Sequence, residues 1–336
     1  ERVYFYPSGT PFLFIVIEII IISVVNQEKF YLKIGSAKDI SDPRERLIYR
    51  LLEIVPGALM WLTFIWIVIG SLFYPLGAVI FIILFDLYWF LKTVYLTWHL
   101  RVSFRKMNEC IKIDWAKKLE ALDLSNHLLG VRKGQSDIWH LVVLPFYKED
   151  YEILENTLRG ILRTAYPKER IMIVLSGEER QGDMAKEIGE RIKKEFGNSF
   201  GRFLLTFHHD LAGELAGKGA NETWAAMEAK KELIDREGIL YEKVIVSVFD
   251  VDTVPFPSYF LRLTYAYLSS TNPLRTSFQP VPFFINNIWE ATAISRVMAF
   301  SSSFWHLMNQ MRPERLVSFS SHAFPLKALA EMDFWQ

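Results

Sequence analysis

A ten-residue stretch, Val244 to Thr253 (VIVSVFDVDT), places the strongest constraint on the fold of this chain. It begins with a run that is apolar except for one serine, which is typical of a strand buried on both faces of a parallel sheet. Asp250 and Asp252 follow at its carboxyl end, where open α/β sheets bind ligands. Alternate residues of an extended chain point the same way, so both carboxylates can hold one divalent cation against a phosphate. A solvated acidic turn remains the alternative for an isolated Asp-x-Asp.

Apolar strands alternate with amphipathic helices through the second half of the chain. Strands are predicted at residues 138–146, 171–175, 203–207 and 243–249, and helices at residues 151–164, 181–196 and 220–236. This alternation predicts an α/β fold with a mainly parallel sheet and helices on both faces. A nucleotide is a common ligand at the carboxyl edge of such a sheet.

Two long apolar stretches, residues 57–73 and 76–96, precede this region and are separated by the turn Tyr74–Pro75. They approach or reach the roughly 20 residues that a transmembrane helix requires. Both outer flanks are basic and the turn carries no charge, which places both ends in the cytosol. We therefore expect a transmembrane hairpin at residues 57–98, in a multi-pass protein of the cell membrane whose soluble domain is cytosolic.

The segments before this hairpin do not show from sequence alone whether they contact the membrane. Residues 11–25 are apolar apart from Glu18 and Ser23, and a short membrane span and a buried β-rich segment are both open. A helix from Pro43 to Ile54 is amphipathic and lies on the membrane surface or in solvent. The predicted organisation is an N-terminal membrane-associated segment, the hairpin, an amphipathic basic linker helix and a soluble domain, at residues 1–56, 57–98, 99–137 and 138–336.

Composition narrows the possible partners. Hydrophobic residues make up 51% of the chain and aromatic residues 15%, which is high for a purely soluble protein and indicates contact with a lipid bilayer. The 38 basic and 38 acidic residues balance, so we expect no nucleic-acid partner. Cys110 is the single cysteine, which excludes an internal disulfide.

Four motifs occur in a fixed order on the predicted elements. They are LPFYKEDYEILENTLRGILRTAYP from Leu144 to Pro167, IMIVLSG from Ile171 to Gly177, GKGAN from Gly217 to Asn221, and FDVDT from Phe249 to Thr253. Together they resemble the family 2 glycosyltransferases, especially the membrane-embedded cellulose, chitin and hyaluronan synthases. The resemblance covers roughly residue 139 to the end of the chain.

Two of these motifs depart from the family pattern. Lys148 stands in the first turn where the family usually has asparagine. The Asp-Asp pair that typically follows the second strand is replaced by Ser176, with Glu178 and Glu179 after it. The second departure concerns the residues that would recognise the nucleobase and ribose.

The resemblance implies a GT-A-like nucleotide-binding fold and the inverting transfer of a sugar from a nucleotide diphosphate sugar. A UDP-sugar is the expected donor, and a glycan or a lipid is the acceptor. Asp252 would ligate Mg²⁺ or Mn²⁺, Asp250 would assist the metal or hold the donor, and Lys218 would pair with the diphosphate. The remaining donor-pocket residues implied by the resemblance are Pro145, Tyr147 and Glu149.

The residues expected to contact the acceptor lie later in the chain. RTSFQP, from Arg275 to Pro280, resembles the strand that ends in Gln-x-Pro, and Gln279 would face the acceptor. Residues 316–335 resemble the segment that lines the acceptor site, with Asp333 and Phe334 where the family has glycines. The general base of the family lies in a Thr-Glu-Asp element, which we expect beyond Gln336, so the soluble domain is expected to be incomplete at its C-terminus.

Two other functions remain open at this point. A non-catalytic nucleotide-sugar-binding membrane scaffold would explain the altered Asp-Asp pair and the unseen base. A metal-dependent hydrolase is suggested by His208, His209 and Asp210, because imidazoles and carboxylates bind transition metals. Adjacent residues of a strand point to opposite faces, however, so the two histidines would not share one ion on a regular backbone.

Overall fold

The computed structural model describes residues 36–125, 127–132, 137–209, 217–286, 288–312 and 321–335. By residue contacts the chain separates into two units, residues 1–91 and 92–336. The predicted apolar segment at residues 11–25 lies outside the described residues.

The described part of the first unit is mostly helical. Helix α1, Pro43–Phe73, begins at Asp42, whose carboxylate accepts from the backbone N–H of Arg44 at 2.9 Å. The helix continues without a break, so the predicted surface helix and the first predicted span form one element. Helix α2, Pro75–Lys112, follows after Tyr74, and its residues from 92 onward belong to the second unit. Among the described residues, these two helices are long and apolar enough to cross a membrane, judged by length and composition alone.

The described residues of the second unit form a five-stranded sheet in the order β3-β2-β1-β4-β5. The first four strands pair in parallel and β5 pairs antiparallel with β4, so the predicted mainly parallel sheet is confirmed. The strands β1 to β5 are Trp139–Pro145, Ile171–Glu178, Arg202–His208, Val244–Val248 and Ala323–Pro325.

Helices cover both faces of this sheet, as the alternating pattern predicts. Residues of four helices contribute to the apolar core on one face: α3, Trp115–Glu120; α4, Tyr151–Leu162; α5, Asp183–Phe196; and α7, Tyr259–Ser269. Two helices contribute to the core on the opposite face: α6, Lys218–Ala229, which continues as a π-helical turn, Lys230–Asp235, and α9, Leu326–Glu331. Helix α8, Ala293–Asn309, precedes β5 in the chain.

The central strands are buried on both faces, which explains their continuous apolar runs. In β4, Ile245 packs into the core on one face, and Val246 and Val248 pack into the core on the other. Ser247 is fully buried, and its hydroxyl lies 3.5 Å from the phenol oxygen of Tyr259. The one polar residue of this run therefore has a polar neighbour inside the core.

The segment predicted as a strand at residues 275–280 does not form one. A 3₁₀ turn, Pro273–Arg275, is followed by a single antiparallel bridge between Phe278 and Ala323. Pro280 and Pro282 lie two and four residues after Phe278, and proline has no N–H to donate to a strand ladder. Pairing therefore stops after one bridge.

Candidate active site

The carboxyl edge of the sheet brings the predicted donor-binding and metal-binding residues to neighbouring loops. Strands β2 and β3 lie on one side of β1 in the sheet, and β4 lies on its other side. The loops after β1 and β4 therefore diverge at a topological switch point, where open α/β sheets form their binding crevice. Tyr147 and Glu149 follow β1, and Asp250 and Asp252 follow β4.

The turn after β4 is fixed through its backbone. The carbonyl of Val251 accepts from the buried Thr157 hydroxyl at 2.5 Å, and the carbonyl of Asp252 accepts from the side-chain amide of Asn286. The Val251 side chain is 6% exposed, whereas Asp252 is exposed and Asp250 is partly exposed. The turn is thus anchored by its backbone, and its two carboxylates lie at the protein surface.

Lys218 connects this turn to the start of helix α6. Its ammonium forms an ion pair with Asp250 and lies 3.6 Å from a carboxylate oxygen of Glu222, one turn further along the helix. Glu222 is 9% exposed, and burial raises the pKa of its carboxyl, with Lys218 acting in the opposite direction. Sequence reasoning missed Glu222, although its i, i+4 spacing from Lys218 is a signal for such a contact.

Asn221 of the GKGAN motif fixes the first turn of α6 to the end of β2. Its side-chain oxygen accepts from the Ser176 hydroxyl at 2.5 Å, and its amide donates to the Ser176 carbonyl at 3.1 Å. Asn221 is 2% exposed, so these bonds form in a dry environment where an unpaired amide would be costly. Ser176 thus has a structural partner in Asn221, and the contact holds the start of α6, with Lys218, at the sheet edge.

The turn after β1 has a left-handed residue at Lys148, with φ of 69°. The carboxylate of Glu149 accepts from the backbone N–H of Tyr147 at 2.5 Å and closes the turn. The Tyr147 ring lies 4.9 Å from the Lys148 ammonium and 4.8 Å from the Arg180 guanidinium. Asparagine adopts the left-handed conformation more readily than lysine.

We expect Lys148→Asn to be more stable than Lys148→Ala by about 1 kcal/mol, because both remove the ammonium but asparagine better tolerates a positive φ. Alanine is the matched control for the lost contact with Tyr147. Urea unfolding of the two variants under the same conditions measures the difference. Equal free energies of unfolding would contradict the left-handed conformation at this position.

Two acid and histidine pairs lie at the ends of β2 and β3. Glu178 is 3% exposed and lies 3.3 Å from Nδ1 of His208, whereas Glu179 is exposed and pairs with His209. The hydrogen bond from His209 lowers the pKa of the Glu179 carboxyl. The indole of Trp224 packs near both imidazoles, with ring centroids 5.8 Å and 5.4 Å away. The two histidines thus contact different carboxylates.

The described residues contain no group of three or more His, Cys, Asp or Glu side chains that could hold a metal ion. Asp210, the third member of the hydrolase alternative, lies outside them. Asp250 and Asp252 offer two carboxylates at one turn. That donor set fits Mg²⁺ or Mn²⁺ shared with a substrate, because Mg²⁺ is usually held by one or two carboxylates together with phosphate oxygens and water.

Pro145 and Gln279, the two other predicted site residues, lie at the end of β1 and next to the bridge to β5. Pro145 is the last residue of β1 and stands in register with Ser176 of β2. Gln279 follows the bridge to β5, where its amide donates to the Pro280 carbonyl at 2.9 Å and its own carbonyl accepts from Gln310 at 3.0 Å. The donor-side and acceptor-side roles of these residues stay predictions.

Comparison with known proteins gives weak likenesses. No family model matches the sequence, and no curated protein matches it with significance. The fold is similar to the mannosyltransferase PcManGT from Pyrobaculum calidifontis in complex with GDP-Man and Mn²⁺, with 14% identity, a TM-score of 0.38, and coverage of 70% of this chain and 58% of that one. It is also similar to residues 1–349 of S. aureus TarS in complex with UDP-GlcNAc, with 12% identity, a TM-score of 0.32, and coverage of 59% and 48%. The chain spans less than two thirds of these proteins, and TM-scores below 0.5 are too low to assign an activity.

Proposed function

We propose that this chain is a membrane-bound, family 2 glycosyltransferase that takes a sugar from a nucleotide diphosphate sugar and passes it, with inversion, to a hydroxyl group. The observation that supports this most strongly is the ion pair between Lys218 and Asp250. It joins the GKGAN helix start to the Asp-x-Asp turn at the switch point of the sheet, so two motifs read separately from the sequence meet at one place.

The chain's own groups suit a diphosphate. Lys218 is the first residue of α6, so its ammonium lies at the positive end of the helix dipole. Binding of a diphosphate would draw the Lys218 ammonium from Asp250 towards the phosphate oxygens. Pro145, Tyr147 and Glu149 would line the nucleotide side of the crevice.

Asp252 and Asp250 would hold Mg²⁺ or Mn²⁺. A divalent ion at this turn would neutralise the charge that develops on the leaving diphosphate. Asp250 would turn from Lys218 towards the metal or the donor sugar, and Gln279 would face the acceptor. The group that takes the proton from the acceptor hydroxyl is not assigned to a described residue. A UDP-sugar as donor and a growing polysaccharide or a lipid as acceptor are the matching substrate classes.

Donor binding by the detergent-solubilised full chain tests this proposal. We expect a UDP-sugar or another nucleotide diphosphate sugar to bind in Mn²⁺ and to be released by a chelator. Lys218→Gln should weaken binding by about 10- to 100-fold, the cost of one charge-assisted hydrogen bond. Lys194→Gln is the matched control, because Lys194 is an exposed lysine in the last turn of α5, away from the carboxyl edge.

Three results would contradict the proposal or part of it. Absence of binding across UDP- and GDP-sugars would overturn the donor class. Equal weakening in the Lys218→Gln and Lys194→Gln variants would remove Lys218 from the site. Binding without turnover, with acceptors supplied, would favour the non-catalytic membrane scaffold over a transferase.

A further inference from the structure

Helix α8 has its apolar side turned outward. The exposed apolar side chains recur at positions three and four apart, and they form a stripe that we call the α8 face: Ile294, Val297, Met298, Phe300, Phe304 and Trp305. Helices of a globular domain normally turn such a stripe towards the core. A contiguous exposed apolar stripe marks a surface that something else covers.

The opposite side of α8 is held in place by specific contacts, so the outward orientation is not accidental. Ser303 is 6% exposed, and its hydroxyl accepts from the backbone N–H of Phe284 at 3.2 Å. Leu307 is 3% exposed on the same side. At the other end, Arg296 donates to the carbonyls of Ala291 and Trp289 at 2.9 Å and 3.1 Å. These contacts fix the rotation of the helix about its axis.

The chemistry of this region matches the surface of a bilayer. Trp289 precedes the helix with 82% of its surface exposed, and Trp305 lies in the last turns of the α8 face. Tryptophan and phenylalanine are favoured at the boundary between headgroups and acyl chains. Residues 289–312 include Glu290 as well as Arg296 and Arg312, so apolar and aromatic side chains, and not net charge, dominate this region.

We propose that the α8 face is a lipid-binding surface that lies in the interfacial layer of a membrane. The same chain carries α1 and α2, which are long and apolar enough to cross a bilayer. Under the proposed function α1 and α2 anchor the chain in a membrane, and an anchored chain meets lipid at high effective concentration, so a modest apolar face is sufficient for stable contact. Helix α5 shows the contrast, because its outer positions include Glu187, Glu190 and Lys194.

Lipid quenching of a site-specific fluorophore tests this inference without any assumption about catalysis. Cys110→Ser removes the native thiol, and Met298→Cys then places a bimane label on the α8 face. Lys194→Cys carries the same label on α5 as the matched control. Both full-length chains are reconstituted into vesicles of equal parts phosphatidylcholine and phosphatidylglycerol, with or without brominated acyl chains.

We expect the label at position 298 to be quenched by brominated lipid at least about twofold more than the label at position 194, because an interfacial helix buries its apolar face among the upper acyl-chain segments. Adding Phe304→Glu should reduce quenching at position 298 by opposing insertion. Equal quenching at the two positions would overturn the inference. So would efficient disulfide cross-linking between copies carrying Met298→Cys without lipid quenching, because a second copy of the chain would then cover the face.

Discussion

Replacing Asp252 with asparagine is expected to lower the rate of sugar transfer by about 100- to 1,000-fold, the range seen when one group that stabilises developing charge is removed. Asparagine keeps the size of the side chain but removes the negative charge that would bind the divalent cation. The backbone carbonyl that anchors this turn to Asn286 is unchanged. The loss should therefore arise in catalysis and not in folding.

The metal dependence of Asp252→Asn shows whether Asp252 binds the metal ion or is only a negative charge near it. We expect Asp252→Asn to need higher Mn²⁺ for its residual turnover, and its free energy of unfolding to stay within about 0.5 kcal/mol of the parent. Glu190→Gln on α5 makes the same charge change at an exposed position and should leave turnover unaltered. Full activity of Asp252→Asn at the parent's metal concentration would remove Asp252 from the proposed metal site.

The sheet was predictable because its signals are local. Each of the four parallel strands is a short apolar run bounded by polar residues, and amphipathic helices lie between them, so both element type and parallel pairing follow. The short strand β5, Ala323–Pro325, has no such signal: three residues are too few to show periodicity, and its backbone bonds to β4 depend on the rest of the sheet.

The candidate site was predictable only in part. Lys218 and Asp250 were each identified from a motif, but their contact joins residues 32 positions apart and depends on the path of the chain across the sheet edge. The bond between Asn221 and Ser176 spans 45 positions and has no local signature. Glu222 was the one missed neighbour whose spacing was visible in the sequence.

Three positions where the sequence departs from the resembled family have a left-handed backbone conformation. Asp333 and Phe334 stand where the family has glycines, and both have φ of 63°, in the left-handed region that glycine adopts without strain. Lys148 shows the same relation to the family's asparagine. Lys148 and Phe334 therefore hold left-handed backbone at a cost of about 1 kcal/mol or more each, whereas aspartate at position 333 tolerates this conformation better.

His140, a buried histidine on β1, was not recognised from the sequence. Its expected effect on the free energy of unfolding is larger than that of the left-handed residues. His140 is completely buried, with Nε2 2.8 Å from the Thr264 hydroxyl and its ring packed against Tyr166 and Phe260 at centroid distances of 4.6 Å and 4.8 Å. Burial lowers the pKa of His140 from its ordinary 6.5 to about 3. The folded state therefore holds a neutral imidazole over a pH range in which the unfolded chain binds a proton.

The sign of the resulting pH dependence follows from proton binding. Between pH 6.5 and pH 3 the unfolded state binds about one more proton at His140 than the folded state, so acid favours unfolding. The contribution of neutral His140 to the free energy of unfolding is fully present above pH 6.5 and is lost progressively as the pH falls towards 3. At pH 5, which lies 1.5 units below 6.5, the loss is about 2 kcal/mol at 1.36 kcal/mol per unit.

Comparison with a neutral variant isolates this contribution from that of the carboxylates. We expect the parent chain to lose about 2 kcal/mol more of its free energy of unfolding than His140→Gln when the pH falls from 8 to 5. Pulse proteolysis in urea of the detergent-solubilised chain measures both, and His140→Phe serves the same purpose if glutamine is not tolerated in the core. Parallel pH profiles for the parent and either folded variant would show that His140 is accessible to protons in the native state. Such a result would contradict its burial between Tyr166 and Phe260, because an imidazole shielded there cannot be protonated at pH 5 without opening the core.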